Sequence, residues 1–240
     1  MPRSFNAHLR SIAICLLALF IIDNAALNAF AATFTIDSNL SALTATVTIG
    51  GGSPLSPQLP GSLTAQIQGT FEADVTGGSL QLPGGWNLDF IEQLGPFNPG
   101  AAPADFAAST IFVVATLRGG ALDLVGGPTP IVGTNFAANA TATFLAGLVQ
   151  VGGIFGSASE NITGLSFLST PAALGSFSQS GSTSTLQIPI DFTAFYPEVG
   201  VTVRFVGQVV GTTTVPEAST FFLSAIGSLS VAAYGWRRKR

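Results

Sequence analysis

Apolar and polar residues alternate with a period of two through most of the middle of the chain. Thr33–Asp37 and Leu43–Ile49 alternate around Ser38-Asn39, which reads as a hairpin or a strand-turn-strand. Leu63–Val75 alternates for longer, and Gly69 within it marks a bulge or bend. Ser79–Pro83, Trp86–Ile91, Ile111–Arg118 and Leu122–Val125 are shorter strand candidates, set apart by Gly-Gly pairs or by turns containing Pro. Thr141–Val151, Thr163–Leu168, Ser184–Phe195 and Val199–Thr212 complete the set. Thr, Val, Ile and Phe enrich these runs, as a pleated, half-buried surface favours. Leu63–Phe71 and Val201–Val209 share one pattern, alternating into a Gly and resuming after it. Two matched barrel halves would produce this echo, and so would a recurring edge geometry.

Helix signals are few. Pro103–Ser109 places Pro at a first-turn position with Asp105 behind it, the pattern of one short helix. Ala137–Leu148 is rich in Ala, but Thr141 and Thr143 alternate with small residues, so it reads as strand. Gly50–Gly61 and Gly95–Pro103 read as loops. Strands at such spacing predict an all-β fold, a single antiparallel β-sandwich or barrel-like domain.

Composition changes the picture chiefly through charge. Of 240 residues only 8 % are charged, against about 25 % in a typical soluble domain. Arg3 and Arg10 lie near the start, and Arg237, Arg238, Lys239 and Arg240 are the last four residues. Between Ala32 and Val215, ten acidic residues face two basic ones, Arg118 and Arg204, which leaves −8. Counterion release from phosphate needs Lys and Arg, so nucleic acid is excluded as a partner of this region.

The ends are apolar. Met1–Arg10 is a short basic region, and Ser11–Ile22 is an unbroken apolar run of 12 residues. Ala29-Phe30-Ala31 then supplies an A-x-A cleavage pattern. This order describes a secretory signal peptide over residues 1–31, exported by the Sec machinery and cleaved after Ala31 or Ala32. The run is too short to span a bilayer, which takes about 20 residues. Cys15 follows Ile14 rather than a small residue, which argues against a lipoprotein, and cleavage leaves no Cys for disulfides.

The last 26 residues fall into three parts: Val215-Pro216-Glu217-Ala218-Ser219, an apolar stretch of 16 residues at Phe221–Trp236, and the basic cluster Arg237–Arg240. Tyr234 and Trp236 sit where an interfacial aromatic belt belongs, and the four cations orient the end toward the cytoplasm. This arrangement resembles the PEP-CTERM sorting signal of exported bacterial proteins. Here the motif reads Pro216-Glu217-Ala218, with Ala in the third place, while Val215 and Ser219-Thr220 fit the surroundings. The resemblance implies recognition by exosortase, a membrane cysteine protease-like enzyme, a transient transmembrane anchor over 215–240, and an outer-surface or biofilm-matrix destination beside exopolysaccharide. A permanent anchor is the plainer alternative. Pro57-Gln58, Pro60–Thr64 and Gly69-Thr70 also resemble the bodies of PEP-CTERM proteins of undefined role. The three regions are thus residues 1–31, a β-sandwich body over 32–214, and 215–240.

Candidate chemistry within the body is sparse. The single His8 lies in the leader and no Lys precedes Lys239, so residues 32–214 lack the side chains for Ser-His-Asp, Cys-His and Schiff-base catalysis and for common zinc sites. Walker, G-x-G-x-x-G and G-x-S-x-G motifs are absent, and no cofactor or metal site is expected. Glu72 with Asp74, and Asp89 with Glu92, are the carboxylate pairs that glycoside hydrolysis would use, or else a solvated rim. Calcium suits such carboxylates, but no D-x-D-x-D-G loop exists. Trp86 and Tyr196 near Gly/Pro-rich loops are candidates for stacking on sugar faces, with Phe97 and Phe106 beside them. Thr33/Thr35, Thr44/Thr46/Thr48 and Thr141/Thr143 resemble flat ice-binding faces but lack a fixed repeat, which favours ordinary outward strand positions. The reading that follows is a non-enzymatic exported envelope protein with a structural or adhesive β body. Its alternatives are a carbohydrate-binding module for exopolysaccharide and a glycoside-active enzyme.

Overall fold

The computed structural model describes residues 29–57, 63–92, 104–109, 112–154 and 156–214. Its fifteen strands are β1 (Ala29–Ile36), β2 (Ala42–Ile49), β3 (Ser56–Pro57), β4 (Thr64–Thr76), β5 (Ser79–Leu82), β6 (Asn87–Phe90), β7 (Phe106–Ser109), β8 (Val113–Pro130), β9 (Asn135–Phe136), β10 (Ala140–Gly153), β11 (Gly156–Asn161), β12 (Ser166–Ser169), β13 (Gly175–Ser180), β14 (Thr183–Tyr196) and β15 (Val201–Thr214). Every ladder among them is antiparallel and all belong to one sheet. The fold is all-β, as the alternation predicts, and barrel-like rather than two stacked sheets.

The sheet closes through β12. Its residues pair with β10, as in Thr141 with Leu168. The chain just after it bonds to β14: Thr170 N–H donates to the Asp191 carbonyl at 3.0 Å, and Asp191 N–H donates to Ser169 Oγ at 3.1 Å. Across the molecule, β1 and β2 share one edge of β15. β2 pairs with Val201–Gln208, and β1 with Gly211 and Thr212. At the changeover, buried Ser41 accepts from Val210 N–H at 2.8 Å, which fills the gap in the ladder.

The alternation decides what lines the interior. Phe34, Phe71 and Trp86 form one aromatic stack, with centroids 5.1 and 4.3 Å apart. Phe192 and Phe205 stack at 5.0 Å, and Phe144 meets both edge-on. Such pairs add about 0.5–1.5 kcal/mol beyond the area they bury.

Four expectations change. Ser56-Pro57, inside the loop read over Gly50–Gly61, is β3 and pairs with Ala108 and Ser109 of β7. β1 and β2 form a strand-turn-strand rather than a hairpin, because both pair with β15 and β4 and not with each other. Pro103–Ser109 forms no helix where it is described: Phe106–Ser109 is β7, paired with β8 from Leu117 to Val114. Phe106, Ala107 and Ala108 are all buried, and a strand lets both of its faces pack. Ile111–Arg118 and Leu122–Val125 are not two strands, because β8 runs unbroken through Gly119-Gly120. A Cβ at Gly120 would collide with the Phe90 ring and crowd the Asp105 carboxylate, so glycine there keeps the strand seated rather than turning it. The echo around Gly69 and Gly207 has a common cause. A Cβ at Gly69 would strike the Asn87 carbonyl of β6, and one at Gly207 the Ala42 carbonyl of β2. Both glycines admit a neighbouring backbone at close range inside the sheet, since β4 lies between β1 and β6 there and β15 between β14 and β2, so neither marks an edge.

Candidate functional site

Val215–Ser219, the apolar stretch Phe221–Trp236 and Arg237–Arg240 lie outside the described residues. Ala29 and Ala31 begin β1, where Ala29 pairs with Thr76 and Ala31 with Asp74. A cut after Ala31 would keep Phe34 and Ile36, the side chains by which β1 enters the core. No helix among the described residues is long and apolar enough to cross a membrane.

The proposed sugar platform requires correction. Trp86 is 1 % exposed and Tyr196 0 %, so neither ring can stack on a glycan. Trp86 packs on Phe71, and its backbone N–H donates to Asp123 Oδ1 at 3.0 Å. Tyr196 shares the inward parity of β14 with Phe192 and Ala194 and meets Phe167 edge-on. Burial, with the Glu160 charge behind it, pushes the Tyr196 phenol above its usual range. Two aromatic rings are exposed among the described residues, Phe112 at 53 % and, beside Tyr196, Phe195 at 58 %. The period-2 pattern of Asp191–Tyr196 was the signal for Phe195. Proximity to loops obscured that parity.

Phe195 stands on the outer face of β14, β15 and β2. The register sets Phe195 beside Thr202 and then Thr48, with Thr193 beside Arg204 and then Thr46. One row further, Asp191 lies diagonal to Arg204 and binds it twice: Arg204 Nε donates to Oδ1 at 2.9 Å and Nη2 to Oδ2 at 2.6 Å. The hydrogen bond and charge of Arg204 hold the Asp191 carboxyl below its usual range, and Asp191 raises the guanidinium in return. The fork is thereby held in one orientation while its side chain stays 58 % exposed.

A second polar centre lies inside. Asp105, 1 % exposed, precedes β7 and donates its backbone N–H to the Leu117 carbonyl at 2.9 Å. Its Oδ2 accepts Gly120 N–H at 2.7 Å, while Oδ1 has no partner. Burial raises its carboxyl to about 7 against the pull of the Gly120 N–H, and the charges of Glu92 and Asp89 add to the rise. Arg118 Nε is likewise buried without a partner. Glu72 and Asp74 share the outer face of β4, as their spacing predicts, while Asp89 is half-buried on β6 and Glu92 exposed just beyond it. No group of three potential metal-ligating side chains occurs among the described residues.

A void of about 20 Å³, walled by Phe106, Tyr196, Phe205 and other apolar side chains, holds at most a water. A wide-open hollow of about 280 Å³ lies at the end of the β10–β11 hairpin, beside Val113, Val151 and Val199. Fold and site together define a barrel-like all-β protein with an apolar, aromatic-rich core, whose Arg204–Asp191 pair and exposed Phe195 lie on an outer sheet face. No protein-family model matches the chain, and no curated protein or solved structure does so either.

Proposed function

We propose that this chain is an exported cell-envelope protein, carried by the Sec machinery and sorted by exosortase through residues 215–240. Its β body serves a non-enzymatic structural or adhesive role at the outer surface or in the matrix. Pro216 and Glu217 are the recognition motif, Phe221–Trp236 the membrane stop, and Arg237–Arg240 the orienting charge.

One observation carries the reading beyond sequence. β1 starts and β15 ends at the same end of the barrel, because the two strands are antiparallel neighbours with Thr35 opposite Thr212. Segments 1–28 and 215–240 therefore join the body at one rim. The turns of that rim, at residues 77–78, 131–134 and 181–182, carry no charge. The opposite end holds Glu198, whose N–H donates to Glu160 Oε2 at 3.0 Å. A body tethered at its uncharged rim keeps these carboxylates away from an anionic bilayer surface.

The test compares the host with and without its exosortase, reading the mass and location of the protein. Tail removal near Pro216 only when the enzyme is present, abolished by Pro216→Ala with Glu217→Ala, is the expected result. Identical mass and location in both strains would overturn the sorting reading in favour of a permanent anchor.

A further inference from the structure

We propose that the outer face of β14, β15 and β2, centred on Phe195, is a binding platform for an uncharged polysaccharide. The proposal gives chemical content to the adhesive role above and rests on that reading.

Three features meet on this face. Phe195 presents an exposed ring at the next-to-last position of β14, on the face turned away from the core. An aromatic face, negative at its centre, attracts the weakly positive C–H groups on the flat side of a pyranose. Beside it, Arg204 uses Nε and one Nη2 hydrogen on Asp191, and a guanidinium has five N–H donors in a fixed plane. The remaining donors are aimed by a partner that also fixes the fork, so little side-chain freedom is lost on binding. Thr193 and Thr46 then supply hydroxyls that both donate and accept, the complement of a sugar hydroxyl, while Thr48, whose hydroxyl donates to the Thr202 carbonyl at 3.3 Å, offers its oxygen as an acceptor.

Geometry suits an extended chain better than a small molecule. Three adjacent strands and three outward positions along each make a surface about 10 Å by about 13 Å. It has no walls, so one sugar ring would gain little there, whereas a polymer gains from repeated contact. Charge selects the uncharged class. Arg204 is already neutralised by Asp191, and residues 32–214 carry −8, which repels uronate or phosphate polymers.

The test uses the protein as its host processes it, in depletion assays with cellulose, mannan and chitin as insoluble probes and alginate as an acidic competitor. The expected result is saturable binding to at least one neutral polymer that alginate does not reduce. Phe195→Ala should weaken it at least about tenfold with an unchanged melting profile, Phe195→Tyr should retain it, and Arg204→Gln should weaken it less. Absence of binding to all three probes, Phe195→Ala binding as tightly as the parent, or preference for alginate would overturn the platform. Localisation and tail removal are read separately in the same strains. Failure of binding with sorting intact therefore removes only the platform, and failure of sorting with binding intact removes only the sorting reading.

Discussion

Asp105 and Asp191 are the same residue placed in two opposite surroundings. Asp191 lies on β14, where alternation from Ile190 to Tyr196 turns odd positions outward, and meets a guanidinium from the next strand. Asp105 lies just before β7, outside any alternating run, and its carboxyl is enclosed between β7 and β8 with a single N–H donor. One carboxyl is held low by an opposite charge, and the other is raised to about 7 by burial. Asp191 is satisfied at the surface by a charge from the neighbouring strand, whereas the β7–β8 seam carries an acid whose charge it cannot solvate; burial without a partner on β14 is confined to the neutral hydroxyls of Ser184 and Tyr196.

The largest expected effect breaks the interior that both regions share. Phe205 touches Phe106 of the seam as well as Phe144 and Phe192. Phe205→Ala should cost about 3–5 kcal/mol in denaturant unfolding. Phe195→Ala, on the outer face of the neighbouring strand, should stay within about 0.5 kcal/mol. Gly120→Ala comes next: it should destabilise by about 1–3 kcal/mol, because the new methyl must displace the Phe90 ring beside Asp105.

Titration sharpens the contrast. Asp105 moves from an ordinary 3.8 to about 7 on folding. Between those values the folded state holds a proton that the unfolded state has lost, so stability falls as pH rises from about 4 to about 7. The slope is at most about 1.4 kcal/mol per pH unit. Asp105→Asn should flatten this stretch of the stability–pH curve and leave the variant more stable than the parent at pH 8. An unchanged slope would show that the carboxyl is not enclosed. Asp191 has the opposite sign, because its lowered carboxyl contributes stability present above its unfolded value and lost as pH falls through the folded one. The smallest effect belongs to Asp191→Asn. The Arg204 fork it faces is largely exposed and screened by salt, so melting at high ionic strength should match the parent within replicate scatter.

Much of the strand pattern was legible because the residues that alternate are the ones that pack. Leu63–Val75 becomes β4 within one residue at each end, and Thr141–Val151 becomes most of β10. β3 and β9, of two residues each, are too short to show a period, and β11 and β13, Gly156–Asn161 and Gly175–Ser180, escaped because their mostly small and polar residues leave no apolar period to read. Phe106–Ser109 was misread for a related reason. It is buried on both faces, so it shows no alternation, and Pro and Asp ahead of it imitate a helix start. For the site, loop proximity singled out Trp86 and Tyr196, but parity along the strand decides exposure and selects Phe195.

Sequence alone determined the all-strand class, the shortage of catalytic side chains between residues 32 and 214, and the three-part terminus that resembles a sorting signal. These follow from local pattern and composition, which need no partner strand. Only tertiary structure decided that one sheet closes on itself through β12, that both terminal segments join the body at one uncharged rim, and that Arg204 finds Asp191 beside an open phenyl ring. Each depends on which strands become neighbours and in what register, and such pairing is set by the collective burial of distant residues rather than by any stretch of chain alone.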